Sequence, residues 1–176
     1  MTAQMHENLI FNGETMSMAF CPPLPHGHAR VRPIEFEEMA ALSKAAREKA
    51  GGSTHRLDLI TGSTACWRRY QGTWEVKAGQ FYLVGIEGRF KLLGEEPLLA
   101  DWFTGVLRVP RGGRLTYVHM GFGSVYEEEL HIFVERGRVT GTRIYDNRGK
   151  EHDERKLGWD NLPGGENRFP GDRDFN

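Results

Sequence analysis

Cysteine is scarce: Cys21 and Cys66 are the two in 176 residues and allow at most one disulfide. That excludes the densely cross-linked framework of a small secreted domain, and a reducing, cytoplasmic setting is the expectation. Long apolar runs are also missing. No stretch approaches the roughly 18 residues that cross a bilayer as a helix, and the start MTAQMHENLIFNGETM has no basic segment followed by an apolar one. Nor does one sign of charge dominate, since 23 basic side chains face 24 acidic ones. This balance removes any global electrostatic signature for nucleic acid or an anionic membrane surface. The common catalytic and metal-binding signatures are absent too: there is no Cys-x-x-Cys, His-Glu-x-x-His, calcium loop or Gly-x-Ser-x-Gly elbow. No metal and no cofactor is expected.

What the chain does have is glycine, 22 residues of it, which marks many tight turns and favours strands over helices. The length suits one domain. The centre of the pattern is TACWRRYQGTWEVKAGQFYLVGI, residues 64–86, which reads as a hairpin turning at Lys77-Ala78-Gly79-Gln80. Cys66, Tyr70, Trp74 and Val76 share its inward parity, whereas Arg69, Gln71, Thr73, Glu75 and Lys77 share the other. Two residues break the alternation: Arg68 falls on the apolar side and Trp67 on the polar side.

On either side of that hairpin the same logic applies. Asn12-Gly13 within LIFNGETMSM predicts a first, short hairpin. The proline-rich CPPLPHGHARVRP that follows predicts a surface connection. Residues 34–50 predict the one convincing helix, with Glu35, Glu37 and Glu38 early and Lys44, Arg47 and Lys49 late. Its thin stripe of Phe36, Met39, Leu42 and Ala46 predicts packing on a sheet. Leu57 to Ile60 is expected as a short strand, and Glu95-Glu96-Pro97 as the start of a helical turn running to Trp102. A second hairpin is expected from FTGVLRV and RLTYVHM around Pro110-Arg111-Gly112-Gly113, and a third turning near Arg136-Gly137. In the third, Leu130, Ile132 and Val134 face the core, while Glu129, His131 and Glu135 form a wet, acidic face. From 146 to 176 the composition turns polar and glycine-rich, predicting an extended tail that only Trp159, Phe169 and Phe175 could anchor. The whole is a mainly β fold: antiparallel hairpins forming a sandwich or partly closed barrel over 1–145, with one N-terminal helix on the sheet.

The segments TACWRRYQGTWEV, ADWFTGVLRVP and YVHMGFGSVYEEEL together resemble an arrangement found in uncharacterised bacterial proteins. The resemblance spans Thr64 to Leu130 and implies a bacterial origin and an all-β core. It implies no activity, so function rests on the residues.

Candidate chemistry is concentrated in two places. Trp67, Arg68, Arg69 and Tyr70, with Tyr117, supply guanidinium and aromatic groups of the kind that bind a phosphorylated ligand or an acidic partner. The structural alternative is that Arg68 pairs with an acid such as Asp101 while the aromatics pack the core. His119, on the parity of Leu115 and Tyr117, is expected to face a cleft or the core, where Glu127 or Asp101 could orient it as an acid or base. His26, His28 and His131 have no spacing that demands a metal. The leading expectation is therefore a noncatalytic β-domain binding a small ligand or protein partner through its aromatic and arginine surface. A small hydrolase or transferase using His119 is the alternative, and a self-assembling module that pairs exposed hairpin edges, hence a homo-oligomer, is the third.

Overall fold

Three two-residue turns set up the sheet, and each places both central residues at positive φ: Asn12 and Gly13 (52° and 79°), Ala78 and Gly79 (50° and 72°), Arg136 and Gly137 (47° and 72°). This is the turn whose twist matches that of paired strands. In the computed structural model, which describes residues 2–52 and 55–150, they join β1 (Glu7–Phe11) to β2 (Glu14–Met18), β4 (Tyr70–Lys77) to β5 (Gln80–Gly88) and β9 (Val125–Glu135) to β10 (Arg138–Asp146). The expected tail lies outside the described residues from 151 onward, together with Trp159, Phe169 and Phe175.

The remaining elements are β3 (Val31–Pro33), α1 (Phe36–Lys49), α2 (Arg56–Gly62), β6 (Phe90–Leu92), β7 (Leu98–Leu99) and β8 (Gly105–Thr116). One mixed sheet of eight strands runs in the order β2-β1-β4-β5-β10-β9-β8, with β7 added to β5, and β3 pairs with β6 separately. Within the large sheet β1 and β4 are parallel. β10 meets β5 at Arg138 opposite Gln80 alone, so the sheet folds at this corner into two halves that share a core. Gly137 makes the corner: besides its positive φ, a Cβ there would lie 2.8 Å from the Ala100 carbonyl oxygen. At the opposite side the two sheet ends approach, and the Ala19 N–H donates to the Arg108 carbonyl at 2.8 Å without closing a barrel. The mainly β, sandwich-like expectation holds.

Inside, the alternation of β4 is realised. Trp74 is fully buried and stacks on Phe81 at 5.0 Å, and Phe81 in turn meets Phe103 at 5.5 Å. Leu107, Val109, Leu130 and Ile132 complete the core from the other half.

Four local expectations need correction. Leu57 to Ile60 belongs to a helix, α2, because His55 and Asp58 form a reciprocal capping box and Leu57 and Ile60, three apart, bury one face. The helical turn expected from Glu95 is replaced by the short β7, whose Leu98 and Leu99 pair with Leu83 and Tyr82; tertiary pairing overrides the Pro signal. Pro110 to Gly113 is no hairpin turn. It lies within the continuous β8, an edge strand where proline's missing donor is tolerated and a bulge absorbs the glycines. The face of Glu129 and His131 is not wet either, since both are 2% exposed.

Helix α1 forms where its charges and Pro33 predict, and Gly51 and Gly52, both at positive φ, end it. Its packing is looser than its alanines suggest: none of its residues is buried, and Phe36 is 81% and Leu42 44% exposed.

Candidate functional site

The pattern-breaking Arg68 is pulled inward by an acid 61 positions earlier. It pairs with the fully buried Glu7 of β1, not with Asp101, which sits exposed in the turn before β8. The same guanidinium donates to the Met5 carbonyl at 2.8 Å and lies 5.8 Å from the Tyr70 ring centroid. Glu7 Oε2 accepts the Gly72 N–H at 2.6 Å and the Trp74 indole N–H at 2.9 Å. Burial pushes the Glu7 carboxyl up, against the pull of Arg68 and these two donors. The thiol of Cys21, 3.5 Å from the Tyr70 hydroxyl, is pushed up to about 12 by burial, and that of Cys66 is also raised by burial. Both thiols are therefore protonated and unreactive near neutral pH.

His6, beside this pair, carries the titration. Its Nδ1 lies 2.7 Å from the Ser17 hydroxyl, its ring meets Phe122 and Tyr126, and burial together with Arg108 and Arg68 lowers its pKa to about 4. A histidine that resists protonation when folded but accepts it near 6.5 when unfolded makes the unfolded state the better proton binder between those values. Stability is thus expected to fall as pH drops from 6.5 toward 4, by up to about 2–3 kcal/mol after allowance for partial solvent access. Urea unfolding followed across that range checks it, and His6→Gln should flatten the slope.

A second buried network sits on β8 and β9. Arg108 forks onto Glu129 (Nε to Oε2 3.2 Å, Nη2 to Oε1 2.7 Å), and Glu129 Oε2 also lies 3.2 Å from His131 Nε2. Burial raises the Glu129 carboxyl, but the hydrogen bond to His131 and the Arg108 charge outweigh it and hold the group below its usual range. The His131 ring packs on Tyr145 at 4.4 Å. A carboxylate fixed by a bidentate arginine and enclosed in this way is arranged to hold strands together.

The other sequence candidates scatter. Arg69, at φ 59°, donates to the carbonyls of Thr61 at 2.9 Å and Ser63 at 3.4 Å, tying down the end of α2. Trp67 is 44% and Tyr117 50% exposed, and both lie at the end where residues 2–6 bridge two loops: Gln4 Oε1 accepts the Trp67 N–H at 3.0 Å, and the Gln4 N–H donates to Gly121 O at 2.8 Å. His119 is exposed rather than aimed into a cleft, with Nδ1 2.6 Å from the Tyr117 hydroxyl. Glu127 accepts the Gly113 N–H of the β8 bulge at 2.9 Å. His119, Glu127 and Asp101 thus have separate surroundings. Among the described residues no group of three or more His, Cys, Asp or Glu side chains is placed to hold a metal, and no helix is long and apolar enough to cross a membrane.

A cavity lies elsewhere, under α1. Ion pairs tie the helix to its neighbours toward both ends: Glu38 bonds Arg32 of β3 at 3.1 Å and also Lys91 of β6, and Arg47 forks onto Asp58 of α2 at 3.0 and 2.8 Å. Those partners hold the carboxyls of Glu38 and Asp58 low, through the hydrogen bonds from Lys91 and Arg47 above all. Between the two clamps Leu42, Ala45 and Ala46 face Leu57 and Ile86 across a groove of about 570 Å³. A second recess of about 250 Å³ lies on the helix's other side, beside Phe36, Met39 and Arg89. The sequence does carry a trace of this groove, since Leu42, Ala45, Ala46 and Lys49 recur at helical spacing, but only the fold shows that the stripe faces open space. Comparison of the chain with family models, curated proteins and solved structures gives no match.

Proposed function

We propose that this protein is a noncatalytic binding domain whose small ligand lies in the groove between α1, α2 and β5. The observation that carries the reading is a 14-residue amphipathic helix that buries none of its residues yet is clamped at both ends over an apolar trough. A helix of this length is marginal on its own. Packing α1 directly on the sheet would have buried its stripe; the clamps hold the gap open instead, at a volume within the roughly 300–1,000 Å³ range of small-molecule sites. The arginines proposed from sequence support the scaffold in this reading, Arg68 through Glu7 and Arg69 through α2. Trp67 and Tyr117, with the Arg114 guanidinium 4.9 Å from the Tyr117 ring centroid, offer a second surface suited to a protein partner.

Titration with anilinonaphthalene sulfonate, an apolar probe with one anionic group, tests the groove. Saturable binding of one probe per chain is expected, and Ala46→Trp, which fills the trough from the helix side, should weaken it at least about tenfold with the melting temperature kept. Absence of saturable binding, or equal affinity in the variant, would remove this reading.

A further inference from the structure

Resting on that reading of the groove, we infer its ligand class: a single-chain amphiphile with a carboxylate head, the head held by Lys49 and His55 and the chain laid along α1 toward Glu38. The inference comes from the charges lining the trough. Both of its carboxylates are already neutralised, Glu38 by Arg32 and Lys91, and Glu87 by Arg56 at 3.2 Å. Lys91 is hydrogen-bonded to Glu38 in the same cluster. Lys49 also lines the groove, and among the described residues no carboxylate pairs with it. Its neighbour Glu48 lines a separate recess, with Lys44 and Arg47, outside the groove.

His55 supplies the second donor. As the N-cap of α2 its Nδ1 accepts the Leu57 N–H at 3.2 Å, which fixes the hydrogen of the neutral ring on Nε2. The Arg47 to Asp58 fork joins the last turn of α1 to the first turn of α2, bringing Lys49 and His55 to the same end of the trough. The carbonyls of Ala46, Arg47 and Glu48 at that end of α1 are already paired, accepting the N–H groups of Ala50, Gly52 and Gly51. An ammonium and an imidazole N–H lining one groove can each donate to an oxygen of a carboxylate. From Lys49 to Glu38 the helix rises about 16 Å, and the wall along that length is Leu42, Ala45 and Ala46 facing Leu57 and Ile86. A charged head at one end and an apolar chain along the rest is what the lining complements.

Isothermal titration calorimetry with three probes of equal chain length, dodecanoate, dodecanol and dodecyltrimethylammonium, each kept below its micellar concentration, separates the possibilities. Dodecanoate is expected to bind at least about tenfold tighter than dodecanol and far tighter than the cation. Lys49→Gln should remove most of that advantage while leaving dodecanol affinity unchanged, and His55→Asn, which keeps a capping oxygen, should weaken dodecanoate alone. Equal affinity for the acid and the alcohol would overturn the head-group assignment and leave the groove reading standing. If none of the three binds, or if Ala46→Trp binds dodecanoate as well as the unaltered protein, the groove reading itself fails. A dimer in sedimentation that Leu42→Glu dissolves would assign the face to a second copy and overturn both.

Discussion

Arg68→Met is expected to destabilise the protein by about 3–5 kcal/mol, because it leaves a fully buried carboxylate without its counter-charge. That is a large share of the roughly 5–15 kcal/mol by which domains are stable. Glu7 cannot escape to water: Gly72 and Trp74 hold Oε2, and a Cβ at position 72 would strike the same oxygen and the indole nitrogen. It can only protonate. Its folded pKa then rises further above the unfolded value of 4.5, so the stability it leaves is present below 4.5 and is lost as pH climbs through the folded value. The deficit relative to the unaltered protein is therefore expected to be greater at neutral pH than near pH 4.5. Adding Glu7→Leu should recover more than half of the loss at neutral pH, since an apolar pair of similar volume removes the orphaned charge. Urea unfolding of the two variants at both pH values reads this directly; a loss independent of pH would mean that packing of the arginine stem, not its charge, is what matters.

Glu129→Leu is the second large effect, also about 3–5 kcal/mol. The guanidinium of Arg108 is 3% exposed at the side chain, and its Nη1 has no hydrogen-bond partner among the described residues even with Glu129 present. Removing the carboxylate strips its ion pair and one partner of His131. Arg108→Met combined with Glu129→Leu is expected to be clearly more stable than Glu129→Leu alone, and chemical unfolding of the two measures the coupling. If the double variant is no better, the cost lies in shape rather than in unpaired charge.

These two networks also mark the limit of what the sequence discloses. The turns at Asn12-Gly13, Ala78-Gly79 and Arg136-Gly137 were legible because each carries glycine at the position where positive φ is needed, and the parity of Tyr70, Trp74 and Val76 correctly points inward. Arg68 was legible as an anomaly, but its partner was not: period-two alternation says which face a residue shares and nothing about which distant strand faces it. Glu129 and His131 read as solvated for a related reason: β9 keeps its polar alternation, and the alternation does not show that Arg108 on β8 and Tyr145 on β10 cover the polar face. α2 was hidden because LDLI is short enough to suit either element, and the decisive signal was the reciprocal pair of His55, two residues ahead of it, and Asp58, inside it. The stripe of Leu42, Ala45, Ala46 and Lys49 was legible but the groove beneath it was not, because a stripe packed on its neighbours and one facing open space have the same spacing.

The central claim, that α1 roofs a binding trough, is tested most directly by mapping amide chemical shifts during a titration with dodecanoate. The expected result is perturbation confined to Ile34, Glu38 through Lys49, His55 through Leu57, Ile86 through Gly88 and Lys91. Perturbation centred instead on Trp67, Tyr117 and His119, with the amides of α1 unmoved, would contradict it.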